Sequence, residues 1–175
     1  TGTEMVETDE LVEAAKRIKS ALESEHVQRV LSLSFIGANH DCDSHDWLGV
    51  LAEIDNQMHA VVNADETIFR AGLLIGAKDQ TTALYAKQLQ RMPFLAVAYG
   101  GTHVQPLCVK DFAKAMVDSI HNTEFFGQKL EVAGPEAMTV KALGEKVATI
   151  MDQEDAVVFP MCRLNARIMS TLGIF

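Results

Sequence analysis

Apolar residues recur at helical spacing near the start of the chain, where Leu11, Ala14, Ala15, Ile18 and Leu22 form one stripe. Glu13, Lys16, Arg17 and Glu23 occupy the other faces, and Thr8 is placed to cap the helix this period predicts. The pattern then changes to a β-rich run over 27–33. A polar stretch at 39–46 caps a second helix reaching about residue 61, and 67–71 predicts a buried strand. Helix, strand, helix, strand is the rhythm of a parallel sheet joined by crossovers.

The second half keeps the alternation with shorter pieces. Residues 81–91 predict a helix and 93–99 an extended segment, and Gly100 with Gly101 makes a turn into a strand over 104–109. Helices near 110–121 and 139–151 flank a strand at 129–132, and Pro160 precedes a last amphipathic piece. There is no repeat or low-complexity segment. The expected class is α/β, in one continuous unit.

Composition narrows the function classes. A chain of 175 residues, 48% hydrophobic and 22% charged, suits one cored domain. No apolar run approaches the roughly 20 residues of a membrane-spanning helix. A net charge of -9 argues against a nucleic-acid partner, whose affinity comes largely from Lys and Arg on phosphates. The acidity is concentrated in residues 1–60, which hold 12 acids and 4 bases. Cys42, Cys108 and Cys162 are too scattered for a disulfide framework and suit a reducing compartment.

Four segments occur in an order that carries a resemblance: LSFIGAN, RAGLLIGAKD, VQPLCVKDFAKAM and VAGPEAMT. From about residue 8 onward the chain resembles the atypical, or extended, short-chain dehydrogenase/reductase superfamily. Within it, VQPLCVKD and the FP-containing tail most resemble the Rossmann-type accessory subunit of mitochondrial complex I, the alpha subcomplex subunit 9 family. The resemblance implies the C-terminal part of a Rossmann-like, doubly wound parallel sheet of seven or so strands, with a small C-terminal lobe. The first strands, which hold the cofactor in that superfamily, have no counterpart here. The single partial domain would divide into later strands and helices over 8–99, and a lobe with an amphipathic tail over 100–175.

What the resemblance implies for chemistry is a loss. The phosphate-binding turn needs glycines between a strand and its helix, so that backbone N–H groups approach the pyrophosphate. No GxGxxG or GxxGxxG occurs in the chain; Gly72, Gly76, Gly100 and Gly101 read as turn glycines. The superfamily places a Ser at the end of the strand matching 30–34, then a Tyr and a Lys four apart on the next helix. Here Ser34 remains, Trp47 takes the Tyr position and Leu51 the Lys position. An indole N–H does not titrate and Leu carries no charge to lower a phenol pKa. The expectation is therefore no enzyme. Residues that would touch a nucleotide, were a partner half to bring one, are Ser34, Phe35, Ala71, Gly72 and Leu73. By itself the chain is expected to hold no cofactor; NADPH is the nucleotide implied for the completed domain.

Other candidates read more plainly. HDCDSHD gathers His40, Cys42 and His45 with Asp41, Asp43 and Asp46, but the spacing matches no strong zinc pattern and suits a solvated capping loop. Cys108 sits in an expected strand with no activating neighbour in sequence, as a buried structural thiol would. Asp111 is placed to cap the helix after VQPLCV. Residues 160–175 carry Arg163 and Arg167 and no acid among Met161, Leu164, Ile168, Met169, Leu172, Ile174 and Phe175. That basic amphipathic end suits a partner groove, an anionic membrane surface or the chain's own core.

A parallel sheet that starts at a late strand leaves an open edge, so another polypeptide carrying the missing half is expected to complete it. The first function expected is a non-catalytic structural subunit of a large complex, peripheral on the matrix side of the mitochondrial inner membrane. The alternatives are the substrate lobe of an NAD(P)-dependent epimerase or reductase, and a nucleotide-sensing regulator of the same superfamily.

Overall fold

The computed structural model describes residues 8–39 and 47–161. In chain order the elements are α1 (Thr8–Ser24), β1 (Arg29–Phe35), α2 (Trp47–His59), β2 (Asp65–Ala71), β3 (Leu74–Ile75), α3 (Thr82–Leu89) and β4 (Phe94–Ala98). Then follow β5 (His103–Val104), β6 (Leu107–Cys108), α4 (Val109–Asp118), β7 (Gln128–Val132), β8 (Met138–Thr139), α5 (Val140–Ile150) and β9 (Val157–Met161). They fall into two compact units, one within 1–72 and 112–132 and the other within 73–111 and 133–175. The chain passes between them three times, at 72–73, 111–112 and 132–133.

In the first unit β1, β2 and β7 form a parallel sheet in that order, with Leu33 beside Phe69 and Phe69 beside Leu130. The central strand is the most buried: Thr67 and Ile68 are fully enclosed. Ala15 of α1 and Met58 of α2 pack with Ile68 on one face. Phe112 of α4 meets Phe69 edge-on at 6.0 Å on the other, since Phe69 and Ile68 point to opposite sides of the strand. Helices thus lie on both faces, as the doubly wound reading requires.

Polar residues fasten this unit where the pattern alone would not. Arg29 donates to Thr67 Oγ1 at 2.8 Å and to the carbonyl oxygens of Asp65, Ser119 and Ile120, with its guanidinium 4.3 Å over the Phe126 ring. One side chain so ties the segment after α4 to the start of the sheet. Buried Asp55 of α2 accepts from Arg70 Nε at 2.8 Å. The stripe expected on α1 is only half right. Ala15 is buried, whereas Ala14 and Ile18 are exposed, because α1 packs chiefly on α2 and its apolar arc is wider than that contact.

The second unit has a smaller core of Leu89, Leu95, Val97, Val147, Ala148 and Val158. β4 and β9 pair in parallel, with Leu95 beside Val158, and α3 and α5 pack on them. Gly144 lets α5 approach, since a Cβ there would stand 2.9 Å from Leu95 Cδ2. Gly134 is still more constrained: a Cβ would fall 1.8 Å from the Pro106 carbonyl oxygen. The start of α3 is held by Asp79, which accepts from the amides of Thr81 at 2.7 Å and Thr82 at 2.6 Å and from the Thr82 hydroxyl. Thr139 caps α5 by accepting from the Ala142 amide.

The strands are shorter and more divided here than their sequence pattern suggests. The strand expected over 104–109 is two short pieces, β5 and β6, separated by Gln105 and Pro106, and α4 already begins at Val109. β5 pairs antiparallel with β8 and β3 pairs parallel with β6, so the strands form four small sheets among the described residues instead of one large one. Pro160 lies inside β9 beside Val97, and the amphipathic piece expected beyond it falls outside the described residues. A proline is tolerated there because a two-stranded sheet is all edge.

Candidate functional site

Because β1, β2 and β7 are parallel, their carboxyl ends gather on one rim, with Phe35 beside Ala71 and Ala71 beside Val132. In open parallel sheets this rim is where ligands bind. The chain is stitched across it: the Ile36 amide donates to Ala71 O at 3.1 Å and the Gly72 amide to Val132 O at 3.0 Å. Gly37, at φ +91°, then turns the chain away, a conformation glycine adopts without strain. Phe35 is half exposed on this rim.

Ser34 is placed differently. Strand alternation puts it on the side of Ile68 and Arg70, the side covered by α1 and α2. It is 2% exposed, and its hydroxyl meets no partner. A buried hydroxyl without a hydrogen bond costs about 1–3 kcal/mol, so it stands out in a sheet otherwise well satisfied.

Trp47, Leu51 and Asp55 follow one another at intervals of four along α2 and therefore share a helix face. The three do unlike things. Trp47 opens the helix half exposed, Leu51 is buried with Ala38, Ala52 and Leu48, and Asp55 holds Arg70. The position that the resemblance assigns to a lysine is thus an apolar core contact. The rim can offer shape and apolar surface, but these two positions offer no group that transfers a proton. Gly37 is the sole glycine between β1 and α2, and Leu51 carries no charge.

Of the five residues expected to share a nucleotide contact, Phe35, Ala71 and Gly72 meet at the rim, and Ser34 lies beneath it. Leu73 belongs to the second unit, where its carbonyl accepts from the Leu107 amide at 2.9 Å. The Asp55–Arg70 pair was not legible from sequence. Its one signal was an arginine near the end of a buried strand, which needs a carboxylate that spacing alone does not locate. Cys108 is exposed, contrary to the buried thiol expected. Asp111 lies in the first turn of α4, within the positive end of the helix dipole. His40 and the rest of the HDCDSHD cluster fall outside the described residues, among which no group of His, Cys, Asp and Glu could hold a metal.

No family model matches the chain, and no curated protein does. Solved structures do. The dTDP-glucose 4,6-dehydratase DesIV from Streptomyces venezuelae, with NAD bound, superposes at a TM-score of 0.73 and 14% identity, covering 89% of this chain and 54% of that one. The fold is Rossmann-like. The dTDP-glucose 4,6-dehydratase of Bacillus anthracis, in complex with NAD, gives 0.73 and 12% over 89% and 56%. An epimerase from Methanothermobacter thermautotrophicus gives 0.69 and 11% over 85% and 51%. The chain spans about half the length of these Rossmann-like enzymes, and at such identity the likeness establishes the fold. None of them is a complex I subunit.

Proposed function

We propose that this chain is part of a catalytically silent member of the short-chain dehydrogenase/reductase superfamily, serving as a structural accessory subunit of mitochondrial complex I. The observation that carries the silent part is Leu51, closed into an apolar cluster with Ala38, Ala52 and Leu48. A lysine there would have to bury its charge among aliphatic groups, at a cost of several kcal/mol. The complex I part is supported by the VQPLCVKD and FP resemblance alone. In this reading, polypeptide beyond these 175 residues supplies the cofactor-binding strands and any NADPH. It would add beside β1, where Leu33 and Phe35 are half exposed on the side that α4 leaves uncovered. Residues 160–175 would provide any peripheral membrane contact on the matrix side.

Affinity purification of the tagged chain from its own cells, followed by native gel and mass spectrometry, tests this. Recovery with respiratory-chain subunits and with a chain bearing a glycine-rich turn is expected. Recovery free of any large assembly would overturn it.

A second reading rests on the fold likeness to NAD-bound dehydratases and epimerases: the substrate lobe of such an enzyme. It predicts turnover of a nucleotide-activated sugar by the purified assembly, lost in Ser34→Ala. The first reading predicts no turnover with or without that change.

A further inference from the structure

The second unit contains a cavity of about 650 Å³ that neither reading uses. Two helices form its long walls: α3 contributes Ala83, Ala86 and Lys87, and α5 contributes Leu143, Lys146 and Ile150. Gly76 and Met138, from the residues that lead into these helices, line it together with Pro106 and Pro135. Gln90 and Met151 line it too, next to Ile150, which is 81% exposed. The result is a mostly apolar slot of a size within the roughly 300–1,000 Å³ of small-molecule sites.

Its charge is arranged on the walls and not on the floor. Lys146 is paired with Glu136 at 2.7 Å, so with Lys87 on the facing helix the lining carries a net single positive charge. A nucleotide would require buried donors and acceptors for base and ribose, where this lining supplies mostly aliphatic carbon.

We propose that this cavity binds a single acyl chain bearing an anionic end, with the chain in the slot and the head beside Lys87. The inference is independent of the assignment to a respiratory complex. A free carboxylate and a lysolipid phosphate share the required chemistry.

Titration of the purified chain with dansyl-undecanoate tests it by fluorescence. Saturable binding at one site is expected, weakened about tenfold or more in Ala86→Trp, which fills the slot. Ala83→Trp, at an exposed wall position, should act likewise and covers the case in which Ala86→Trp fails to melt cooperatively. Decanoate should displace the probe better than decanol, and Lys87→Glu should remove that preference. Displacement by oleate or by lysophosphatidate upholds the site and tells the carboxylate source from the phosphate source. No saturable binding by the folded chain, binding unchanged in both tryptophan variants, or equal displacement by decanoate and decanol would overturn it.

Discussion

The two units bury similar elements but stabilise them by different means. The first buries charge: Asp55 and Glu66 lie inside it, held by Arg70 and by His59 at 2.7 Å, and Arg29 ties the chain after α4 to the sheet. The second has an apolar core, with Leu89, Leu95 and Val97 enclosed and its polar contacts at helix caps and in exposed ion pairs such as Lys146 with Glu136. The lesson concerns specificity. An apolar core tolerates any side chains of the right volume, whereas a buried ion pair accepts one partner in one geometry. The unit that closes Leu51 into an apolar cluster is also the one that keeps the more exacting polar contacts.

Substitutions should separate the two strategies. The largest effect is expected for Leu95→Ala, fully buried in the second unit, at about 4 kcal/mol of stability by chemical denaturation. Hydrogen exchange should then rise over β4 and β9 before β2. Asp55→Ala should cost about 3 kcal/mol, because it strands Arg70 in a mostly enclosed position, and exchange should rise over β2 instead. If both changes loosen both units equally, the distinction between the units collapses.

Asp79→Asn keeps one acceptor oxygen but replaces the other, which accepts from the Gly76 amide and the Thr82 hydroxyl, and should cost about 1 kcal/mol. Burial alone would raise the Asp79 carboxyl, but bonds from the Thr82 hydroxyl and from the Gly76, Thr82 and Thr81 amides outweigh it and hold its pKa below the usual value. A depressed folded pKa contributes stability that is present above the unfolded value, about 4, and lost as pH falls through the folded one. Wild type should therefore lose stability below about pH 4 more steeply than Asp79→Asn, which acid titration of melting temperature would show. The smallest effect is expected for Ser34→Ala. Removing a buried hydroxyl without a partner should leave stability unchanged or raise it by up to about 1 kcal/mol. A loss of more than that would mean the hydroxyl has a partner after all.

Much of the element order was legible in the chain. The helical period over α1, α3 and α5 and the β-rich runs at β1, β2 and β4 place these elements within a few residues of where they form. β9 was missed, because a proline in a run normally argues against a strand, and only the absence of a second neighbour makes it acceptable. The two-residue strands β3, β5, β6 and β8 have no period long enough to read. Of the candidate site, the replacements at Trp47 and Leu51 were visible as residue types. Their opposite fates, one exposed and one in the core, were not.

By itself the sequence determined the alternation of helix and strand, the α/β class and the absence of a GxGxxG or GxxGxxG motif from these 175 residues. These are properties of local spacing and side-chain chemistry. Tertiary structure decided that Ser34 points beneath α2, that Asp55 finds Arg70, that Leu73 parts from Ala71 and Gly72, and that α3 and α5 leave a slot between them. Each depends on which surfaces meet across long stretches of chain, and a strand or helix period specifies a face without naming what covers it.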